Sequence, residues 1–174
     1  TGPECDGGGS KAEARKTLTR DTTTYTSNTT MESGTVKVEE GKTLNLSGAA
    51  LTDGAITTAG TVAVTGDSSI NSDALTNTGA TLSVAATKTL TLNGTTITGG
   101  TVTDNGTIDV TGDSAINSAA VNGGVLKVEA SKTLTLDDTT VTGSTITDLG
   151  TLKVDGGKTL NLSGAALTDG AITT

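Results

Sequence analysis

The chain has 174 residues, with 19 acidic against 11 basic side chains and a formal net charge of −8. Its only aromatic side chain is Tyr25, and it contains no histidine. These features argue against a nucleic-acid-binding protein, which needs a clustered basic surface, and against catalysis by a histidine base. No stretch approaches the ~20 apolar residues of a membrane-spanning helix, so we predict no membrane span.

Residues 1–9 read as an irregular leader, rich in glycine, that contains the only cysteine, Cys5. A single cysteine cannot form an internal disulfide, and the chain has no Cys/His pattern that would predict a zinc site. Three interpretations of Cys5 stay open: a spare thiol, a link to another chain, or an engineered handle. We predict no metal and no cofactor.

The residues that follow are predicted to cap the rest of the chain. Ser10 and Glu13 match a capping box, in which each side chain bonds the backbone amide of the other, and this predicts a short helix over 10–16. Residues 17–31 are rich in threonine and predict one or two strands. Because the end of a repeat array exposes its core, we assign 1–33 to an N-terminal leader and cap.

From Gly34 onward the chain consists of repeated units. Apolar and polar residues alternate within each unit, as in Thr35-Val36-Lys37-Val38, and this period of two indicates a strand with one buried face. Pairs such as Asn93-Gly94 and Asn105-Gly106 predict turns with access to positive φ. Four units are long and two are short, in the order 34–59, 60–78, 79–105, 106–122, 123–149 and 150–174.

This repetition predicts an all-β protein, a parallel β-solenoid of about six coils with right-handed winding. Each long unit contains an additional short strand, at 54–57 in the first unit, which predicts a cross-section that changes between coils. Disorder is the alternative for a chain so poor in aromatic residues, but it gives no reason for the strict alternation. The predicted internal ladders are Val36, Val62, Leu82, Ile108, Leu126 and Leu152, and Leu44, Ile70, Leu90, Ile116, Leu134 and Leu160.

One segment of eighteen residues, GKTLNLSGAALTDGAITT, occurs at 41–58 and again, without substitution, at 157–174. So recent a duplication predicts a longer parent protein. The last unit ends in mid-pattern, which leaves two expectations: a fragment of a longer array, or an end that stacks on another molecule. Head-to-tail stacking of such ends would give an open filament, and Cys5 could link neighbouring chains.

The motifs G-T-[VIL]-x-V and K-T-L-x-L, with their Gly, Asn and Asp turns, resemble the β-strand repeats of large secreted bacterial surface proteins. These include autotransporter passengers, filamentous-haemagglutinin-like adhesins and repetitive biofilm-matrix proteins. The resemblance covers 34–174. It implies an extracellular stalk or filament at the cell surface, with adhesion or biofilm as its context and with surface glycans or proteins as partners.

The acidic residues offer little for catalysis or for a metal. Glu39-Glu40 and Asp137-Asp138 follow strands at turns, where carboxylates are ordinarily solvated, and we predict no enzymatic activity and no catalytic residue. Asp67 and Asp113 recur in Thr-Gly-Asp-Ser, but one carboxylate per short unit is too few for the six to eight oxygens that calcium takes. We predict that both are turn residues.

Two alternative functions rest on other features of the sequence. Rows of Thr-x-Thr on a solenoid face would suit ice binding, and Thr89/Thr91 and Thr133/Thr135 fit such a row. The equivalent positions in the other units interrupt this row: Thr43/Asn45, Ser69/Asn71, Ala115/Asn117 and Thr159/Asn161. The second alternative is a carbohydrate-binding or carbohydrate-processing β-helix.

Overall fold

The computed structural model describes residues 17–20, 22–26, 30–32 and 34–174. Within these residues the chain forms twenty-five β-strands, all in parallel sheets, and no helix. The predicted all-β parallel solenoid is confirmed, with about seven turns over 34–174 rather than the predicted six coils. The predicted helix at 10–16 and Cys5 lie outside the described residues, and the winding direction stays a prediction.

Three strands make one turn, and every third strand lies in the same sheet. Sheet 1 contains β1 (Thr17–Arg20), β4 (Thr35–Val38), β7 (Ala55–Thr58), β10 (Ala74–Thr76), β13 (Thr96–Thr98), β16 (Ser114–Asn117), β19 (Thr133–Thr135), β22 (Thr151–Lys153) and β25 (Ile172–Thr173). Sheet 2 contains β2 (Thr23–Thr26), β5 (Thr43–Ser47), β8 (Thr61–Val64), β11 (Thr81–Val84), β14 (Thr101–Asp104), β17 (Ala120–Asn122), β20 (Thr139–Thr142) and β23 (Leu160–Ser163). Sheet 3 contains β3 (Thr30–Glu32), β6 (Ala50–Thr52), β9 (Ser68–Asn71), β12 (Thr89–Asn93), β15 (Thr107–Val110), β18 (Val125–Val128), β21 (Thr145–Asp148) and β24 (Ala166–Thr168).

The core lies between the three sheets and is almost entirely aliphatic. One cluster of buried side chains runs from Tyr25 to Leu152, built from the inward Val, Leu and Ile residues of successive strands. Alternation places them there, because neighbouring side chains of a strand point to opposite sides. Each fully buried aliphatic side chain contributes about 1.5–3 kcal/mol, so many short strands together stabilise a core that no single turn could supply.

The sequence units are not the structural turns. A short unit supplies three strands and completes one turn, whereas a long unit supplies four, as β4 to β7 do in 34–59. The extra strand predicted in the long units is confirmed, with β7 at Ala55–Thr58. The predicted change of cross-section is wrong, because the fourth strand simply begins the next turn. Each long unit therefore moves the following unit around the solenoid by one sheet.

The predicted internal ladders are wrong for the same reason. Val36 and Val62 do not stack on each other. Val36 pairs with Ile56 in sheet 1, whereas Val62 lies in sheet 2. In this first ladder, equivalent residues separated by a short unit do stack, such as Val62 and Leu82. The ladder predicted from Leu44 is divided among all three sheets, and Ile70 pairs with Leu92 rather than with Leu90. Sequence similarity aligns the first strands of units, but stacking joins strands that are three apart along the chain.

As a result, the two motifs of the repeats stack on each other. The K-T-L strand of a long unit supports the G-T-[VIL] strand that opens the next unit, as β5 supports β8 and β12 supports β15. The amide of Thr107, for example, donates to the carbonyl oxygen of Lys88 at 2.9 Å. A Cβ at Gly106 would lie 2.2 Å from that same oxygen, so the motif needs glycine because two turns approach closely there.

This close approach also corrects one turn prediction. Gly94 adopts the predicted positive φ, at 69°. Gly106, which follows Asn105 in the same kind of pair, does not have a positive φ. Its role is to admit the carbonyl of the turn beneath, and the dipeptide alone does not distinguish the two roles.

The strands predicted within 17–31 are also confirmed, and there are three of them among the described residues rather than one or two. β1, β2 and β3 pair in parallel with β4, β5 and β6. Tyr25 on β2 is buried beside Leu46 of β5. The three sheets therefore continue across position 34, where the repeats begin in the sequence.

Candidate functional site

The carboxylates of Asp67 and Asp113 join one turn to the next. Asp67 accepts a hydrogen bond from the backbone amide of Thr89 at 2.9 Å, and Asp113 accepts one from that of Thr133 at 2.8 Å. Each bond reaches the first residue of a K-T-L strand in the following turn. The predicted turn role is borne out in this specific form, in which the side chain satisfies a backbone donor at a corner.

The two adjacent acidic pairs also make structural contacts. Asp137 accepts from the amide of Asp155 at 2.8 Å, and Asp138 accepts from the Lys158 ammonium at 2.7 Å. The hydrogen bond from Lys158 lowers the pKa of Asp138 below its usual value. In the other pair, Glu39 lies 2.8 Å from the ammonium of Lys37. The contacts of Asp137 and Asp138 link neighbouring turns, whereas the contact of Glu39 joins two residues at the end of one strand.

An outward lysine pairs with the acid two residues later in three places. The pairs are Lys37–Glu39 at 2.8 Å, Lys153–Asp155 at 2.6 Å, and Lys127–Glu129. All are substantially exposed, so each contributes at most about 1 kcal/mol. Their distribution is more informative than their strength, because the lysines lie on strands of sheets 1 and 3 only.

Sheet 2 differs from the other two sheets because its outer surface has no charge. From β5 to β23 the only charged residue of its seven strands is Asp104, and that side chain is buried. The outward residues form two rows in register, which we name the uncharged face. The first row is Thr43, Thr61, Thr81, Thr101, Ala120, Thr140 and Asn161, and the second is Asn45, Ala63, Ser83, Thr103, Asn122, Thr142 and Ser163.

The threonines predicted to form a row lie elsewhere and apart from one another. Thr89 and Thr91 are on β12 in sheet 3, whereas Thr133 and Thr135 are on β19 in sheet 1. The structure therefore does not bring them together. Sequence reasoning missed the uncharged face because it aligned units rather than turns. Counting three strands per turn would have placed the correct threonines side by side.

Two carboxylates are buried at the ends of fourth strands. Asp104 and Asp148 are each 1 % exposed, and their side chains accept from the amides of Gly106 and Gly150 at 2.9 and 3.1 Å. Burial raises the pKa of Asp104 to about 6, against the opposing effect of its backbone hydrogen bonds. Both residues were missed because a strand aspartate is usually exposed. The signal was the Asp-x-Gly that closes these strands.

Asp73 is a third buried carboxylate, at 4 % exposure. The amide of Gly54, one turn earlier, donates to Oδ1, while Oδ2 is buried without a hydrogen-bond partner. Burial raises the pKa of Asp73, and the nearby charge of Asp53 adds to the effect. These three acids hold corners of the solenoid and do not converge on a common site.

Within 17–20, 22–26, 30–32 and 34–174, no cluster of three or more metal-ligating side chains is present. The same residues include no helix with the length and apolarity needed to cross a bilayer. Comparison with family models, with curated proteins and with solved structures finds no significant match to this chain.

Proposed function

We propose that this chain is a structural repeat protein that forms an extended stalk in a secreted bacterial surface or biofilm adhesin. The observation that supports this function is the position of the two identical segments, 41–58 and 157–174. Their strands occupy the same three sheets, with β5, β6 and β7 matched by β23, β24 and β25. In each sheet the two copies are six places apart in the strand order.

Such an arrangement lets a duplication lengthen the molecule without changing its cross-section. Neighbouring strands lie ~4.8 Å apart, so the six turns between the copies extend the stack by about 29 Å. Each turn contacts only the turns before and after it, which is the property that lets repeat proteins vary in length. A spacer between an anchored end and a binding end requires this kind of growth.

The surface and the motifs support the extracellular part of the proposal. Outward positions are mostly Thr, Ser, Asn and Ala, with an overall acidic charge that keeps such a protein soluble. The resemblance of G-T-[VIL]-x-V and K-T-L-x-L to repeats of secreted surface proteins adds to this support. In that setting the partners are cell-surface glycans or proteins.

Small-angle scattering tests the stalk directly. A second copy of residues 41–156, inserted after Gly156, preserves the sequence at both junctions because Gly157 repeats Gly41. We expect the maximum dimension to increase by about 29 Å, six strand spacings of ~4.8 Å, while the cross-sectional radius stays unchanged. A wider or collapsed particle would contradict a stalk.

The cellular setting needs a separate experiment. An antibody against the chain should label intact cells of the source bacterium, and protease added outside should remove the label. Labelling only after permeabilisation would contradict an extracellular stalk even if the rod dimensions agreed.

Self-association belongs to the same proposal. The turn formed by β23, β24 and β25 exposes Leu162 and Ile172, and its sequence equals that of a turn which β8, β9 and β10 cover. Stacking of another chain on this turn would bury those side chains. Negative-stain microscopy over a concentration series should show rods that lengthen with concentration. A loss of length on reduction would mean that Cys5 of one chain is joined to Cys5 of another, a contact between like ends rather than head-to-tail stacking. Rods of constant length would contradict the association and leave the stalk intact.

A further inference from the structure

The uncharged face is a regular grid of small side chains. Its fourteen residues pair one to one across seven strands, with no bulge or change of register between β5 and β23. The rows repeat at the strand separation of ~4.8 Å, and the two rows are two residues apart, ~6.6 Å along a strand. Few protein surfaces are periodic in two directions, so a partner that uses this face should be periodic as well.

The chemistry of the grid is also uniform. Threonine occupies five of the seven positions in the first row and presents a hydroxyl and a methyl group at each. Among the described residues, a side chain of the face makes one hydrogen bond at its edge, where Asn45 Nδ2 donates to Thr24 Oγ1 of β2 at 3.4 Å. The hydroxyls therefore remain available to water, while the methyl groups and the alanines limit how strongly the face is hydrated.

Charge separates this face from most of the surface, because the other sheets have shorter runs of strands without outward charge, the longest being β7 to β19 in sheet 1. The protein has a net charge of −8, and sheets 1 and 3 carry outward charges in their strands, Lys37 and Lys153 on the one, Asp109 and Lys127 on the other. Charged groups hold strongly oriented hydration shells that would disturb an ordered layer of water. Sheet 2 lacks them over its whole length between β5 and β23.

From these features we propose that the uncharged face binds the surface of ice. Ice is uncharged, rigid and periodic in two directions, and its water molecules repeat at spacings comparable to those of the grid. A globular protein partner does not repeat in two directions in this way. A crystalline polysaccharide is periodic too, but its sugar rings are ordinarily held by exposed aromatic side chains, and the single aromatic residue, Tyr25, is buried.

The test measures inhibition of ice recrystallisation and thermal hysteresis with the purified chain. Thr101→Lys places a charge in the centre of the first row, between Thr81 and Ala120. Thr145→Lys places the same charge on an exposed position of sheet 3, between Val125 and Ala166, on the strand next to the one that carries Lys127. We expect the native chain and Thr145→Lys to inhibit recrystallisation at similar concentrations. Thr101→Lys should need roughly tenfold more, which corresponds to about 1.4 kcal/mol of binding.

Circular dichroism and the unfolding temperature establish that each variant is folded. Should Thr101→Lys fold poorly, Ser83→Lys in the second row provides an independent charge on the same face. Absence of activity in the native chain would overturn the proposal, and so would equal losses in Thr101→Lys and Thr145→Lys.

Two further measurements distinguish other occupants. Retention on microcrystalline cellulose or chitin without any effect on ice would overturn the proposal in favour of a polysaccharide. Sedimentation could also show that the native chain is a dimer and that Thr101→Lys is a monomer. Without an effect on ice, that result would assign the face to contacts between copies of this chain. The rod dimensions measured by scattering do not depend on any of these outcomes.

Discussion

The identical segments 41–58 and 157–174 give the same strands in the same sheets but very different burial. In the first copy Leu46 is fully buried, and Ile56 is 2 % exposed. Their counterparts in the second copy, Leu162 and Ile172, are 39 % and 36 % exposed. The first copy lies between two turns of the solenoid, whereas the second has a described turn on one side only.

The two copies show that a segment determines the direction of its own side chains, whereas the neighbouring turns determine how deeply those side chains are buried. Alternation and turn residues determine which side chains point inward, and they do so equally in both copies. Burial, and most of the stability that comes from it, requires a turn above and a turn below. Identical substitutions in the two copies should therefore differ wherever the effect depends on neighbours, and agree wherever it is local.

The largest difference is expected for an inward charge. Leu46→Asp places a carboxylate in a core with no counter-charge, a change that costs several kcal/mol, and should abolish cooperative unfolding. Leu162→Asp makes the same change at a half-exposed position and should lower stability by less than about 1 kcal/mol. Urea unfolding followed by circular dichroism measures both. Leu90→Asp should behave like Leu46→Asp, since Leu90 is also fully buried, and equal effects at 46 and 162 would break the comparison.

A cavity should give a smaller difference of the same sign. Leu44→Ala removes a fully buried side chain and should destabilise the protein by about 2–5 kcal/mol. Leu160 occupies the same place in the second copy but is only partly buried against the core, so Leu160→Ala should cost about 1 kcal/mol or less. The free energies of unfolding of the two variants provide the check. A loss at position 160 as large as that at 44 would mean that the last turn is packed on both sides in solution.

The stability should change with pH in opposite directions for Asp104, in the interior, and for Asp138, beside the second copy. Asp104 has a pKa of about 6 when folded, above its ordinary 3.8, so the folded state holds its proton more tightly. Its contribution to stability therefore falls as pH rises from about 4 through about 6, by up to about 3 kcal/mol. Asp138 has a lowered pKa, caused chiefly by Lys158, so its contribution is present near neutral pH and is lost as the solution becomes acidic.

Unfolding temperatures between pH 3 and 8 distinguish the two groups. Asp104→Asn should flatten the decline between pH 4 and 7, whereas Asp138→Asn should leave that decline in place and reduce only the loss at the acid end. If both variants kept the native profile, neither carboxylate would carry the pH dependence.

The smallest effect should be equal in the two copies. Gly41 and Gly157 have φ values of 70° and 79°, and an added Cβ at either would meet nothing within 4 Å. Alanine in this left-handed conformation costs about 1 kcal/mol from backbone sterics alone. Native-state hydrogen exchange of the adjacent strands should therefore report similar local losses for Gly41→Ala and Gly157→Ala. Unequal losses would mean that the backbone differs between the copies.

Much of the fold could be predicted from the sequence because the signals are local. The alternation in Thr35-Val36-Lys37-Val38 is sufficient to place Val36 and Val38 in the core, and both are fully buried. The strands within 17–31 followed from their threonine content. A period of two identifies strands and their inward side regardless of what lies next to them.

The assignment of strands to sheets could not be predicted in the same way. The strand at Ala55–Thr58 was predicted as an addition to its own unit, yet it begins the next turn and moves every later strand to the next sheet. The uncharged face depends on that count, and so does the burial of Asp104, which the sequence presents as an ordinary strand-end acid. These features arise from contacts between residues about twenty positions apart, which no local pattern contains.

The three-strand turn acts on the surface as a reading frame acts on codons. A unit of three strands can be gained or lost in frame, and every later residue keeps its side of the solenoid. A unit of four strands shifts the frame, so that Asp109 and Lys127, which follow the long unit 79–105, would move onto the side now occupied by the uncharged face if that unit were deleted. The identical segments lie in frame with each other, six turns apart. Selection on a surface of this protein is thus also selection on the number of strands that precede it.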